Sequence, residues 1–240
     1  MKLIIIRHGE PDNPNNTLTK KGFDEVRALS SYLKDFDFDE AYVSPLARAQ
    51  LTAEAVLKPL NKKATTLPWL QEFTHLVEVP YNQNRVINWD FMPSYFTQQD
   101  DFYDNEKYLA HPCMESADIK KYYQEVTEGL DKILAKHGYI RNNRYYQVEN
   151  SNRDVVVLFC HFGMMSVIMS HLMSIPYIVL AQSFCCQCSG ITTLVTEERE
   201  KGVAQFRCLQ YGSITHLEND NQKPSFHGRF CEIFDSDERH

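Results

Sequence analysis

Two short apolar runs in this chain each end on a histidine. "KLIII" at 2–6 leads into Arg7-His8-Gly9, and "VVVLFC" at 155–160 leads into His161. A run of five or six apolar, largely β-branched residues without polar alternation predicts a strand buried on both faces, the pattern of a parallel sheet covered by helices. "EAYV" at 40–43 predicts a further short strand, ending at Ser44. The segments between them carry helical spacing. Thr19 is a candidate N-cap, followed by Phe23, Val26, Leu29 and Leu33 on one face. In "SPLARAQLTAEAVLKPL", Ser44 as N-cap and Pro45 at the first helical position predict a helix start that puts Arg48 in its first turn. A helix is predicted over 117–138, with Asp118 near its start and Gly138 just past its end. "GMMSVIMSHLMSI" reads as a buried helix, with Met164, Met165, Met169 and Met173 in the core. "RNNRYYQVENSNRD" reads as a polar loop, and "ITTLVT" with "VAQFRCLQ" as a hairpin-like pair across "EEREKG".

This alternation predicts an α/β fold: a three-layer sandwich with a mainly parallel central sheet flanked by helices, forming one domain over 1–240. Residues 80–112 break the pattern. They are rich in aromatics, Asn, Asp and Gln without a clear period, and read as an insertion or lid. Their rings Tyr81, Trp89, Phe91, Tyr95 and Phe96 are expected to line an organic moiety, and Asp90, Asp100 and Asp101 to repel highly anionic substrates.

Charge narrows the partners. The net charge is −7, and no basic tract or basic helix face stands out, which argues against nucleic acid and anionic membrane surfaces. No stretch reaches the roughly 18 apolar residues of a membrane span, and the first residues lack a signal-peptide pattern. The seven cysteines, Cys113, Cys160, Cys185, Cys186, Cys188, Cys208 and Cys231, are odd in number and irregularly spaced. They read as reduced thiols of a cytoplasmic protein. "CCQC" at 185–188 lacks the second ligand pair that a zinc site needs, so no metal is expected there.

In open α/β sheets ligands bind outside the carboxyl ends of the strands. His8, Ser44 and His161 all follow predicted strand ends, so they are expected on one rim with Arg7 and Arg48. Two guanidinium forks, two imidazoles and a helix N-terminus suit a dianionic phosphoryl group. One imidazole can attack phosphorus while the other donates to an equatorial oxygen.

With "RHGE" at 7–10, "LTKKG" at 18–22, "SPLARAQLTA" at 44–53, "LQEF" at 70–73 and "CHFG" at 160–163, the chain resembles the histidine phosphatase superfamily, the phosphoglycerate mutase-like proteins. The resemblance runs in order from residue 1 to about residue 175, with 80–112 unmatched, and the remainder looks like a bacterial subgroup of unassigned substrate. It implies that His8 is the nucleophile that becomes phosphohistidine. It also implies that Arg7, Arg48 and His161 bind the phosphoryl group, that Glu72 is the proton donor and later the base, and that no cofactor or metal takes part. Phosphoryl transfer is mainly positioning and charge stabilisation, which fixed cations can supply. Two departures stand out. Phe162 separates His161 from Gly163, where its backbone N–H can still face phosphate, and Pro14 occupies a position that many members fill with Asn, leaving Asn13, Asn15 or Asn16 to substitute. Glu10 and Glu78 rival Glu72 as the acid. The expected activity is phosphatase action on a small phosphomonoester. Mutase-type transfer and a catalytically silent phosphate-binding protein are the alternatives, and the oligomeric state is left open, with a homodimer among the options. His75, His111, His137 and His171 are expected to be structural or surface residues, and His216 in "GSITHL" has no derived role.

Overall fold

Successive residues of strand β1 (Lys2–Arg7) enter different cores. Leu3 and Ile5 join a large cluster with Leu130, Leu158 and Met165, while Ile4 and Ile6 join a second with Leu29, Val56 and Phe159. A strand with two buried faces must lie between two helical layers, which is why its apolar run is unbroken. The structure, a computed structural model, describes residues 1–228 and 233–235, so Cys231 lies outside the described residues.

The central sheet has eight strands. In chain order they are β1, β2 (Glu40–Val43), β3 (Thr65–Thr66), β4 (Tyr139–Asn142), β5 (Tyr145–Val148), β6 (Val155–Cys160), β7 (Ile191–Glu200) and β8 (Val203–Ser213). Their spatial order is β3-β2-β6-β1-β7-β8-β5-β4. The principal helices are α1 (Lys20–Tyr32), α2 (Ala47–Leu57), α3 (Ile119–Lys136), α4 (Phe162–Met173) and the short α5 (Thr215–Asn219). The α/β sandwich expected from the sequence is present, but its sheet is mixed rather than mainly parallel. From β3 to β1 neighbours are parallel; from β1 to β4 every pairing is antiparallel. The reason is connection length. Lys201-Gly202 joins β7 to β8 and Asn143-Arg144 joins β4 to β5, and links of two residues can build only hairpins. The second hairpin lies in the stretch expected to be a polar loop. Asn143 takes its turn at φ 54°, and buried Tyr146 is held by Asp131 at 2.9 Å.

The insertion is not a detached lid. A hairpin (Leu76–Val79 with Asn82–Ile87) leads into short helical turns whose Phe91, Phe96, Phe102 and Tyr108 are buried in the large cluster. Stacking of Phe91 and Phe96 on Phe102 uses the rings that were expected to line an organic moiety, and aromatic burial of this kind outweighs their exposure. The methionines at 164, 165 and 169 are core residues, as their spacing predicts. The histidines expected to be structural are accounted for: His137 meets Asp154 at 2.7 Å, His171 meets Asp131 at 2.9 Å, His75 stacks on Tyr122, and His111 caps the turn at Cys113. Among the described residues no helix is long and apolar enough to cross a membrane.

Candidate active site

Strand register assembles the site. Arg7 pairs with Cys160 and Phe159 with Val43, so the next residues, His8, His161 and Ser44, emerge together at the carboxyl ends of β1, β6 and β2. The His8 and His161 rings lie 5.0 Å apart, tilted by 57°. Strand β7 runs antiparallel to β1, with Ile191 opposite Ile6, so the segment entering β7 reaches the same rim. There Gly190 accepts the Arg7 backbone N–H at 3.0 Å, and the Cys186 carbonyl accepts from Arg7 Nη1.

The backbone just past β1 needs room. A Cβ at Gly22 would lie 2.3 Å from the Glu10 carbonyl oxygen, so "RHGE" and "LTKKG" are two sides of one close contact. The Gly9 N–H donates to Thr52 Oγ1 at 3.0 Å, and that hydroxyl donates to the Arg48 carbonyl at 2.8 Å. Buried Thr52 thus explains the threonine of "SPLARAQLTA".

His8 is 3% exposed and carries a defined polarity. Its Nδ1 faces the Gly9 carbonyl at 2.7 Å, which assigns the proton to Nδ1 because a carbonyl only accepts. Its Nε2 accepts from Arg48 Nε at 3.1 Å and holds a lone pair. Burial, then Arg7 and Arg48, push its pKa well below that of an ordinary histidine, so the ring is neutral. His161 is fully buried, and its Nε2 meets Ser44 Oγ at 2.7 Å. Burial and the neighbouring His8, Arg48 and Arg7 also lower its pKa. Among the described residues two buried nitrogen atoms of these side chains, Arg7 Nε and His161 Nδ1, have no hydrogen-bond partner. The Arg7 Nε–H, which can only donate, calls for a ligand acceptor.

Ser44 is not an N-cap. Helix α2 starts at Ala47, and the Ser44 hydroxyl is engaged by His161. Arg48 nevertheless lies in the first turn, as expected. Phe162 opens α4 as its first residue. Its ring packs under the Arg7 guanidinium, 5.6 Å from Cζ, and meets Trp89 edge-on.

The three candidate acids are separated by their partners. Glu10 Oε2 accepts from Thr19 Oγ1 at 2.6 Å beside the start of α1. Glu78 is an exposed partner of Arg85 at 2.7 Å. Glu72 alone lies among the site residues. Its Oε1 accepts the N–H groups of Phe73 at 3.0 Å and Met164 at 3.1 Å, and burial raises its pKa against the opposing pull of Arg7. Of the candidate asparagines, Asn15 is tied to Asp12 at 2.8 Å, and Asn13 and Asn16 are exposed in a surface turn.

Trp89, one of the rings expected to line an organic moiety, forms a wall of the site, fixed by Nε1–H donation to the Phe73 carbonyl at 2.7 Å. Gly163 lets this wall close. A Cβ there would sit 2.4 Å from Trp89 Nε1 and 2.9 Å from Glu72 Oε1. Gly163→Ala is therefore expected to cost about 1–3 kcal/mol of stability and to lower activity by displacing Glu72. Denaturant unfolding alongside turnover checks this, and an unchanged midpoint with unchanged turnover contradicts the packing described.

A family model described as the histidine phosphatase superfamily (branch 1) matches residues 3–209. A 2,3-bisphosphoglycerate-dependent phosphoglycerate mutase of Treponema denticola is 30% identical over 145 residues, 55% of this chain and 58% of that protein. A second such mutase, of Thermoplasma acidophilum, is 36% identical over 73 residues, 26% of this chain and 36% of that protein. The chain thus spans from about a third to somewhat over half of the length of these mutases. An adenosylcobalamin/alpha-ribazole phosphatase of Salmonella typhi is 23% identical over 73% of this chain and 81% of that protein. A phosphoserine phosphatase structure from Entamoeba histolytica superposes with a TM-score of 0.58 at 19% identity, covering 90% of this chain and 98% of that one. At that identity the likeness concerns the fold.

Proposed function

Because this chain belongs to the histidine phosphatase superfamily, we propose that it is a phosphatase that hydrolyses a small phosphomonoester through a phosphohistidine at His8, using its own side chains and no metal. The observation that carries the reading is the His8 imidazole, held neutral with Nδ1 on a carbonyl and the Nε2 lone pair directed to the cationic side of the site. On substrate binding Arg48 turns from Nε2 to a phosphoryl oxygen, and Arg7 and His161 take others. Nε2 attacks phosphorus, the P–O ester bond breaks, and the Glu72 proton goes to the leaving oxygen. Water then attacks phosphorus, Glu72 takes its proton, the P–N bond breaks and the electron pair returns to Nε2. A carboxyl group lifted by burial can hold that proton near neutral pH, and a histidine lowered by burial and cations can remain a nucleophile there.

Mutase-type transfer is the second reading, favoured by the sequence identity to the two mutases. A mutase of that kind must hold a doubly phosphorylated intermediate, with cations beyond those at the reacting phosphate. The insertion offers Arg85 and Lys107, and both are spent: Arg85 on Glu78 at 2.7 Å, Lys107 on Asp104 at 3.4 Å. This supports water as the acceptor. A cytoplasmic setting goes with the same reading, on the strength of the irregularly spaced cysteines. The test is 3-phosphoglycerate with a panel of other monoesters, following phosphate release and isomer formation together. Release is expected to dominate throughout; isomerisation that outruns release moves the assignment to the mutase.

A further inference from the structure

His216, for which the sequence supplies no role, lies beyond the matched span of 3–209 and is buried. It sits in α5, which packs against α1, and is 1% exposed. Its Nε2 is 2.8 Å from Ser189 Oγ, and Nδ1 has no hydrogen-bond partner among the described residues. The proton is therefore assigned to Nε2, so the imidazole donates to the serine hydroxyl and no N–H is left orphaned. Ser189 itself is fully buried and takes a left-handed backbone conformation, φ 58°. That conformation costs a non-glycine residue of order 1 kcal/mol and persists only where surrounding contacts hold it.

The consequence reaches the site in one step. In that conformation the Ser189 N–H donates to the His8 carbonyl at 3.0 Å, and the next residue, Gly190, accepts the Arg7 N–H at 3.0 Å. The same segment supplies the Cys186 carbonyl that holds the Arg7 guanidinium. The C-terminal chain braces this strand end a second time. Buried Glu25 accepts the Glu10 N–H at 2.9 Å through one oxygen and the Ser225 N–H at 3.2 Å through the other.

We propose that His216 is a positioning residue for the phosphoryl-transfer site: through Ser189 it fixes the backbone that sets the direction of the His8 imidazole and of Arg7. This rests on the reading of His8 as the nucleophile. His216 touches no reacting atom, so any effect of its loss on the rate of phosphoryl transfer acts through the placement of His8 and Arg7. Misplacement of a nucleophile by about an ångström costs on the order of 100-fold in rate.

The experiment is single-turnover phosphoenzyme formation from p-nitrophenyl phosphate, with thermal unfolding measured on the same samples. His216→Ala is expected to slow formation by about 10- to 100-fold. His216→Gln, whose amide NH2 reaches the place of Nε2, is expected to recover most of the rate. Ser189→Ala removes the same bond without opening a cavity behind it and is expected to match the loss in His216→Ala, which keeps the test alive if that variant does not fold. A folded Ser189→Ala protein forming phosphoenzyme at the wild-type rate overturns the proposal. So does equal impairment of His216→Gln and His216→Ala in folded proteins, because that outcome assigns the residue to packing alone. A wild-type enzyme that turns over substrate with no phosphoenzyme at His8 overturns the nucleophile reading and this proposal with it. Normal phosphoenzyme formation in wild type and variants alike overturns only the proposal.

Discussion

Replacing His8 by alanine is expected to lower turnover of p-nitrophenyl phosphate by at least about 10⁴-fold, the scale on which loss of a catalytic nucleophile acts. The expectation follows from what remains at the rim. His161 is the other imidazole there, and its Nε2 is committed to Ser44 at 2.7 Å. Arg7 and Arg48, the proposed phosphate ligands, remain in the variant, so affinity for orthophosphate should change far less than turnover. Steady-state kinetics with a phosphate-competition measurement checks both halves. A variant within about tenfold of wild type would mean that water attacks the substrate directly.

Glu72→Gln is expected to separate substrates by their leaving groups. The amide keeps an oxygen to accept from Phe73 and Met164, so the local structure should survive, but it has no proton to give. Alkyl phosphates, which leave as poor alkoxides, should lose about 10²- to 10⁴-fold in kcat/KM. A nitrophenolate needs no proton, and its loss should stay within about tenfold. The pH dependence carries the same signature. Glu72 must be protonated, so wild-type activity on an alkyl ester falls as pH rises through a carboxyl pKa lifted by burial. His8 must be neutral, so activity falls on the acid side only at a pH well below the usual histidine range. In Glu72→Gln the alkaline limb should vanish. Equal losses on alkyl and aryl esters would contradict the role of Glu72 as the proton donor.

Much of this site can be read in the sequence because it is built from strand ends. "KLIII" and "VVVLFC" are apolar throughout, so their places in the sheet are legible, and parallel register carries His8 and His161 to one edge. The residues that steer them are harder to read. Ser44 resembles an N-cap in sequence, yet its hydroxyl serves His161, a contact with a residue 117 positions away. The mixed sheet depends on two-residue turns at Asn143-Arg144 and Lys201-Gly202, the first hidden in a polar stretch whose tyrosines are the only sign of a strand. The aromatic insertion has no period because its rings stack on one another across several short turns rather than along one helix face. His216 reaches His8 only through the folded position of Ser189, and no local pattern encodes that.

The central claim, covalent transfer to His8, is tested most directly by locating the phosphoryl group. Wild-type enzyme mixed with p-nitrophenyl phosphate, quenched at alkaline pH to preserve an acid-labile phosphoramidate and digested, should carry one phosphoryl group on the peptide containing His8. A phosphoryl group found on the peptide containing His161, or turnover with none trapped on any peptide, contradicts it.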